Sequence, residues 1–285
     1  MDGLERLIES RIDERDGGHA DDHPRVVKDE VAVCQSRQRR IGIDVQQVFR
    51  KRARLDADDI ELNARLANAD HARDGVGAMH VNGPAGTRGA FSLYVPEYYD
   101  PARTWPLVVA LHGGSGNGGA FLWSWVREAR TRGFIVIAPT ALGSTWSLMD
   151  PETDGANIDR IVDRVAADWN LDSGRRLLTG MSDGGTFTYA LGLRGGCSFT
   201  HLAPIAASFH PLLMAMADAD RLRGLPVNIV HGTQDWMFPP EMAQMAHRSL
   251  AQAGATVTYR EVADLSHTYP RDENGRILDW LLLNS

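Results

Sequence analysis

Gly180-Met181-Ser182-Asp183-Gly184-Gly185 joins a run patterned as a strand, Arg176 to Gly180, to one patterned as a helix, Phe187 to Leu193. Placement matters more than the letters, because a glycine-x-serine-x-glycine string arises easily by chance in a chain with 28 glycines. A serine that must protrude from a tight strand-to-helix turn needs neighbours without Cβ atoms, so that backbone can pass close by. The plain alternative is a glycine-rich turn in which Ser182 only caps the helix. What lies on either side decides between them.

Upstream, Ala90 to Val95, Pro106 to His112 and Phe134 to Ala138 read as strands. Gly119 to Arg130 reads as a helix ended by Gly133, and Asn157 to Trp169 as another, followed by a turn at Leu171 to Gly174. Downstream, the strands His201 to Ala207, Pro226 to His231 and Thr256 to Val262 alternate with helical segments, among them Pro240 to Ala253 and a closing Gly275 to Leu283. Strands separated by helix-length segments require right-handed crossovers, which build an α/β fold with a mostly parallel central sheet and helices on both faces. The unbroken apolar run Leu107 to Leu111 is what a sheet buried on both sides demands. In such sheets functional groups gather past the carboxyl ends of the strands.

A serine hydroxyl is a weak nucleophile until a base takes its proton, and the base must itself be oriented by a third group. Where the serine sits on a strand-to-helix turn, the partners follow in the order serine, carboxylate, histidine. Asp235 stands on the loop leaving the strand Pro226 to Val230, and His267 follows the strand Thr256 to Val262. His201, His210, His231 and His247 also come after Ser182, but only His267 lies beyond both the acid and a further strand. The other four read as surface or hydrogen-bonded structural histidines, with His210 keeping a functional reading because it lies past a strand end. Asp218 and Asp220 are rival acids, set in an alanine-rich stretch of helical character.

A tetrahedral intermediate also needs backbone donors for its negative oxygen. His112-Gly113-Gly114-Ser115-Gly116 follows a strand, and the expected oxyanion-hole donors are the N–H groups of Gly114 and Asp183. Trp146 and Trp236 fall in loops near the site and are candidate substrate-binding walls, against a reading of plain packing. Gly114, Gly116 and Gly119 also spell a G-x-G-x-x-G, but the next strand runs into Pro139-Thr140 without the acid that a dinucleotide ribose would need. No nicotinamide cofactor is expected.

Composition shifts near residue 75. Before it the chain is dense in charge with Phe49 its only aromatic residue, and Leu4, Leu7, Ile8 and Ile12 recur at helical spacing. Residues 1–75 are expected to form a helical N-terminal extension and 76–285 the catalytic domain. Amphipathic helices this polar gain stability by burying a face against something else, so the extension is expected to pack on that domain or on a second subunit, as a homo-oligomer; a charged tail is the alternative. No stretch approaches the ~18 apolar residues of a membrane span. A net charge of −7 offers nucleic acid no general attraction, and Cys34 and Cys197 make neither a disulfide framework nor a metal cluster. Met1 to Asp22 carries no apolar block of the secretory kind, and a cytoplasmic protein is expected.

His112-Gly113-Gly114, Gly180-Met181-Ser182-Asp183-Gly184, His231-Gly232-x-x-Asp235 and Ser266-His267 together resemble the α/β-hydrolase superfamily, over about Gly89 to Leu283. Within it, His112 to Gly118 and Ser266 to Pro270 are most similar to the phospholipase/carboxylesterase and polyhydroxybutyrate-depolymerase or feruloyl-esterase-like branches. The resemblance implies an α/β-hydrolase fold and hydrolysis of a small-molecule ester through an acyl-enzyme on Ser182, without metal or cofactor. A serine peptidase or amidase, and a non-catalytic ligand-binding protein on a hydrolase fold, are the competing readings.

Overall fold

The computed structural model describes residues 75–83 and 87–285; the expected N-terminal extension, apart from Gly75, lies outside the described residues. Among the described residues eight strands form one sheet: β1 (Gly77–Val81), β2 (Phe91–Val95), β3 (Trp105–Leu111), β4 (Ile135–Pro139), β5 (Leu171–Met181), β6 (His201–Ile205), β7 (Pro226–Gly232) and β8 (Thr256–Val262). Their spatial order is β1-β2-β4-β3-β5-β6-β7-β8. The pairs β1/β2 and β2/β4 are antiparallel, and every other pair is parallel.

Alternate residues of β3 enter different cores, because strand side chains point to opposite faces. Leu107, Val109 and Leu111 pack with α3 (Pro151–Asp168) and α4 (Asp183–Gly192), through residues such as Ile158 and Phe187. On the same face lies α7 (Pro240–Gln252), through Ala243, Ala246 and Leu250. Val108 and Ala110 pack on the other face, against Leu122 of α1 (Gly118–Leu122), Ala129 of α2 (Val126–Arg132) and Ile277 and Leu281 of α8 (Glu273–Leu283). Two short helices, α5 (Pro211–Met216) and α6 (Ala219–Leu222), lie between β6 and β7. Ile158, Ile161, Val162 and Val165 give α3 an i, i+3, i+4, i+7 stripe, all buried. Each such side chain stabilises the fold by about 1.5–3 kcal/mol relative to exposure.

Three local readings change. The helix expected over Gly119 to Arg130 is two helices, broken at Trp123 to Trp125, and Gly133 caps the second at φ 79°. The turn expected at Leu171 to Gly174 exists, since Gly174 N–H donates to Asp172 Oδ1 at 2.8 Å, but it interrupts β5 rather than preceding it. Leu171 pairs with Trp105 and the register then shifts before Arg176 pairs with Leu107, so the turn is an insertion in the ladder. Helix α3 begins at Pro151, not Asn157, with proline in its favoured first position.

Candidate active site

Ser182 sits between β5 and α4 with φ 56° and ψ −118°, a backbone conformation that costs a non-glycine residue about 1–3 kcal/mol and persists only where its surroundings impose it. The glycines explain the imposition. A Cβ on Gly180 would lie 2.5 Å from the backbone of Gly184, and one on Gly184 would lie 2.4 Å from the carbonyl oxygen of Leu111. Ser182 N–H donates to Ile205 O at 3.0 Å, which ties the turn to β6.

His267 Nε2 stands 3.0 Å from Ser182 Oγ, and His267 Nδ1 stands 2.8 Å from Asp235 Oδ2. With Nδ1–H donating to the carboxylate, Nε2 is left to accept the serine proton. Asp235 is buried, and its Oδ1 accepts the N–H groups of Met237 at 3.0 Å and Phe238 at 2.9 Å, so the acid is fixed by its own loop. The Phe238 ring meets the imidazole edge-on, 5.2 Å between centroids.

The other histidines have structural places. His210 Nδ1 accepts the N–H of Leu212 and caps α5. His201 bridges Thr200 Oγ1 and Asn284 O, while His247 stacks on Tyr259. His231 is buried directly behind the acid, a position that no periodicity in the sequence announces. Asp218 caps α6 through Arg221 N–H, and Asp220 lies in that helix.

The loop after β3 packs on the serine turn. A Cβ on Gly113 would lie 3.7 Å from Ser182 Cβ, and one on Gly114 would strike Asp183 Oδ2 at 2.6 Å. Asp183 is the first residue of α4, so its N–H is among those a helix leaves without a backbone acceptor. His112, which opens the loop, is buried; Nδ1–H donates to Gly113 O at 2.6 Å and Nε2 accepts the N–H of Ala141 at 3.1 Å. Burial pushes its pKa down, in keeping with this neutral tautomer.

Of the tryptophans expected to wall a pocket, Trp146 is only 2% exposed; its indole donates to His112 O at 2.8 Å and stacks on Phe187. Its contacts support the packing reading. Trp236 is 73% exposed, with its ring centroid 6.5 Å from that of His267. Among the described residues, no group of three or more His, Cys, Asp or Glu could hold a metal ion, and no helix is long and apolar enough to cross a membrane.

No protein-family model matches the chain. Feruloyl esterase C of Emericella nidulans is 34% identical over 116 residues, covering 38% of this chain and 43% of that protein. The chain spans less than half the length of the curated relatives it matches. Among solved structures, a thermostable esterase superposes with TM-score 0.60 at 24% identity, covering 74% of this chain and 63% of that one. The acetyl xylan esterase of Aspergillus awamori superposes with TM-score 0.57 at 15% identity, covering 72% of this chain and 98% of that one. The chain has the α/β-hydrolase fold. In this fold the serine lies between β5 and α4, the carboxylate after β7 and the histidine after β8, all past carboxyl ends of parallel strands.

Proposed function

We propose that the chain is a serine-dependent carboxylic-ester hydrolase working through an acyl-enzyme on Ser182. The observation that carries this reading is the hydrogen-bonded run from Ser182 through His267 to Asp235, built on a turn that forces the serine outward. Ser182 Oγ attacks the ester carbonyl carbon while its proton passes to His267 Nε2. The carbonyl electron pair moves onto oxygen, where the N–H groups of Gly114 and Asp183 receive the negative charge. Collapse expels the alcohol oxygen, which takes the proton from His267. Water then repeats the sequence on the acyl-enzyme, releasing the acid and restoring Ser182. Asp235 stays ionised throughout and holds the imidazole in the required tautomer.

The similarity to a feruloyl esterase and an acetyl xylan esterase supports esters with an aromatic or carbohydrate-linked part. Exposed Trp236 beside His267 offers a flat apolar face to a phenolic acyl group. The test is a panel of methyl ferulate, p-nitrophenyl acetate and butyrate, acetylated xylan, and amides matched in acyl group. Hydrolysis of esters with matched amides inert supports the proposal. Faster cleavage of the amides makes the chain an amidase, and inertness toward every member makes it a binding protein.

A further inference from the structure

We infer that Asp154 is the positioning residue of the oxyanion hole, acting through residues 141–147 and not by touching substrate; the inference rests on the esterase reading above. Asp154 lies in the first turn of α3 and is 1% exposed. Its Oδ1 accepts the N–H of Leu142 at 2.9 Å and its Oδ2 that of Ser147 at 2.8 Å, while its own N–H donates to Ser147 Oγ at 3.1 Å. One carboxylate thereby pins both ends of the loop that follows β4. Two converging N–H groups need two acceptor oxygens, and an amide side chain would turn a donor toward one of them.

From the pinned loop, four hydrogen bonds reach the segments that carry the expected oxyanion donors. Ala141 N–H donates to His112 Nε2 at 3.1 Å, and the Trp146 indole donates to His112 O at 2.8 Å. Ser144 O accepts the N–H of Ser115 at 2.8 Å. Thr145 Oγ1 donates to Asp183 Oδ2 at 2.5 Å. Ser115, next to Gly114, is held at φ 59°, a conformation a serine keeps only under such constraint. Both donors are thus set from the same loop, Gly114 through its neighbours and Asp183 through its carboxylate. An oxyanion hole acts by preorganisation, so loosening its frame lowers transition-state binding more than substrate binding.

The test uses the full chain, an aryl ester, and an aryl trifluoromethyl ketone, to whose carbonyl carbon Ser182 Oγ adds. The proton passes to His267 and the carbonyl oxygen becomes the oxyanion. Asp154→Asn and Asp154→Ala should lower kcat by about 10- to 100-fold, below the loss from deleting an oxyanion donor outright. KM should stay within about 2-fold, and ketone affinity should fall by the same factor as kcat/KM. Thr145→Val, which severs one link without touching Asp154, should show the same pattern more weakly and decides the matter if the Asp154 variants do not fold. Folded variants with wild-type kcat and ketone affinity would overturn the role, as would a fall in kcat unaccompanied by weaker ketone binding. A wild-type chain that neither turns over the ester nor binds the ketone overturns the esterase reading, and the positioning role with it.

Discussion

His231 donates through Nε2 to the carbonyl oxygen of Phe238 at 2.7 Å, and the same nitrogen lies 3.4 Å from Asp235 Oδ2. A buried imidazole thus braces the loop that carries the acid, and its own Nδ1 has no hydrogen-bond partner among the described residues. His231→Leu removes the donor and strands the Phe238 carbonyl, at a cost of about 1–3 kcal/mol. Urea unfolding should show the loss as a lower midpoint at an unchanged slope, with kcat/KM reduced because Asp235 is less well held. A variant as stable and as active as wild type would leave the brace without consequence.

His112 and His201 both have pKa values pushed below the ordinary 6.5, by burial above all. The folded state therefore binds fewer protons than the unfolded state as the pH falls below 6.5. Their contribution to stability is present above 6.5 and lost as the pH drops toward and through the lowered folded values. Unfolding midpoints measured from pH about 7.5 down to about 5 should decline, and the decline should be shallower in His112→Gln. A steeper decline in that variant would contradict the sign.

Gly184→Ala places a methyl group 2.4 Å from Leu111 O and 2.5 Å from His112 O, where the neighbours are backbone and cannot step aside. The expected effect is a loss of at least about 1–3 kcal/mol, read as a lower melting temperature, together with reduced turnover because the loop before Gly114 is pushed away. Gly196→Ala is the control, since among the described residues nothing lies within 4 Å of the added atom; its cost should be only that of a left-handed backbone at φ 78°. Equal losses in the two variants would count against steric packing as the reason for the glycine.

Much of this site is legible from sequence because each part obeys a local rule. Gly180 and Gly184 flank a protruding serine for steric reasons that hold over five residues, and Asp235 and His267 each follow an apolar strand. The loop that Asp154 pins is not legible in that way. Asp154, Thr145 and Trp146 reach loops up to 38 positions away in sequence, and hydrogen bonds between loops leave no periodicity behind. Trp146 and Trp236 look alike in sequence, yet one is buried against Phe187 and the other faces solvent, because exposure is decided by tertiary packing. Strand β1 escaped for a different reason: Gly-Ala-Met-His-Val is short, begins with glycine and alternates only weakly at the edge of the sheet.

Ser182→Ala, His267→Ala and Asp235→Asn should each keep the fold and lose ester hydrolysis, by up to about 10⁴-fold or more, with Asp235→Asn the mildest. In the proposed mechanism the three act as a unit, so the double variant Ser182→Ala with His267→Ala should be scarcely worse than Ser182→Ala alone. Additive losses, measured as kcat/KM on one aryl ester, would show that the residues work independently.

The most direct test is peptide mapping by mass spectrometry after treatment of the full chain with a fluorophosphonate. A serine made nucleophilic by His267 should lose its proton, displace fluoride and carry the phosphonyl group. The adduct should map to Ser182, be absent in Ser182→Ala and form far more slowly in His267→Ala. An unlabelled wild-type protein, or an adduct on another residue with Ser182 unmodified, would contradict the account.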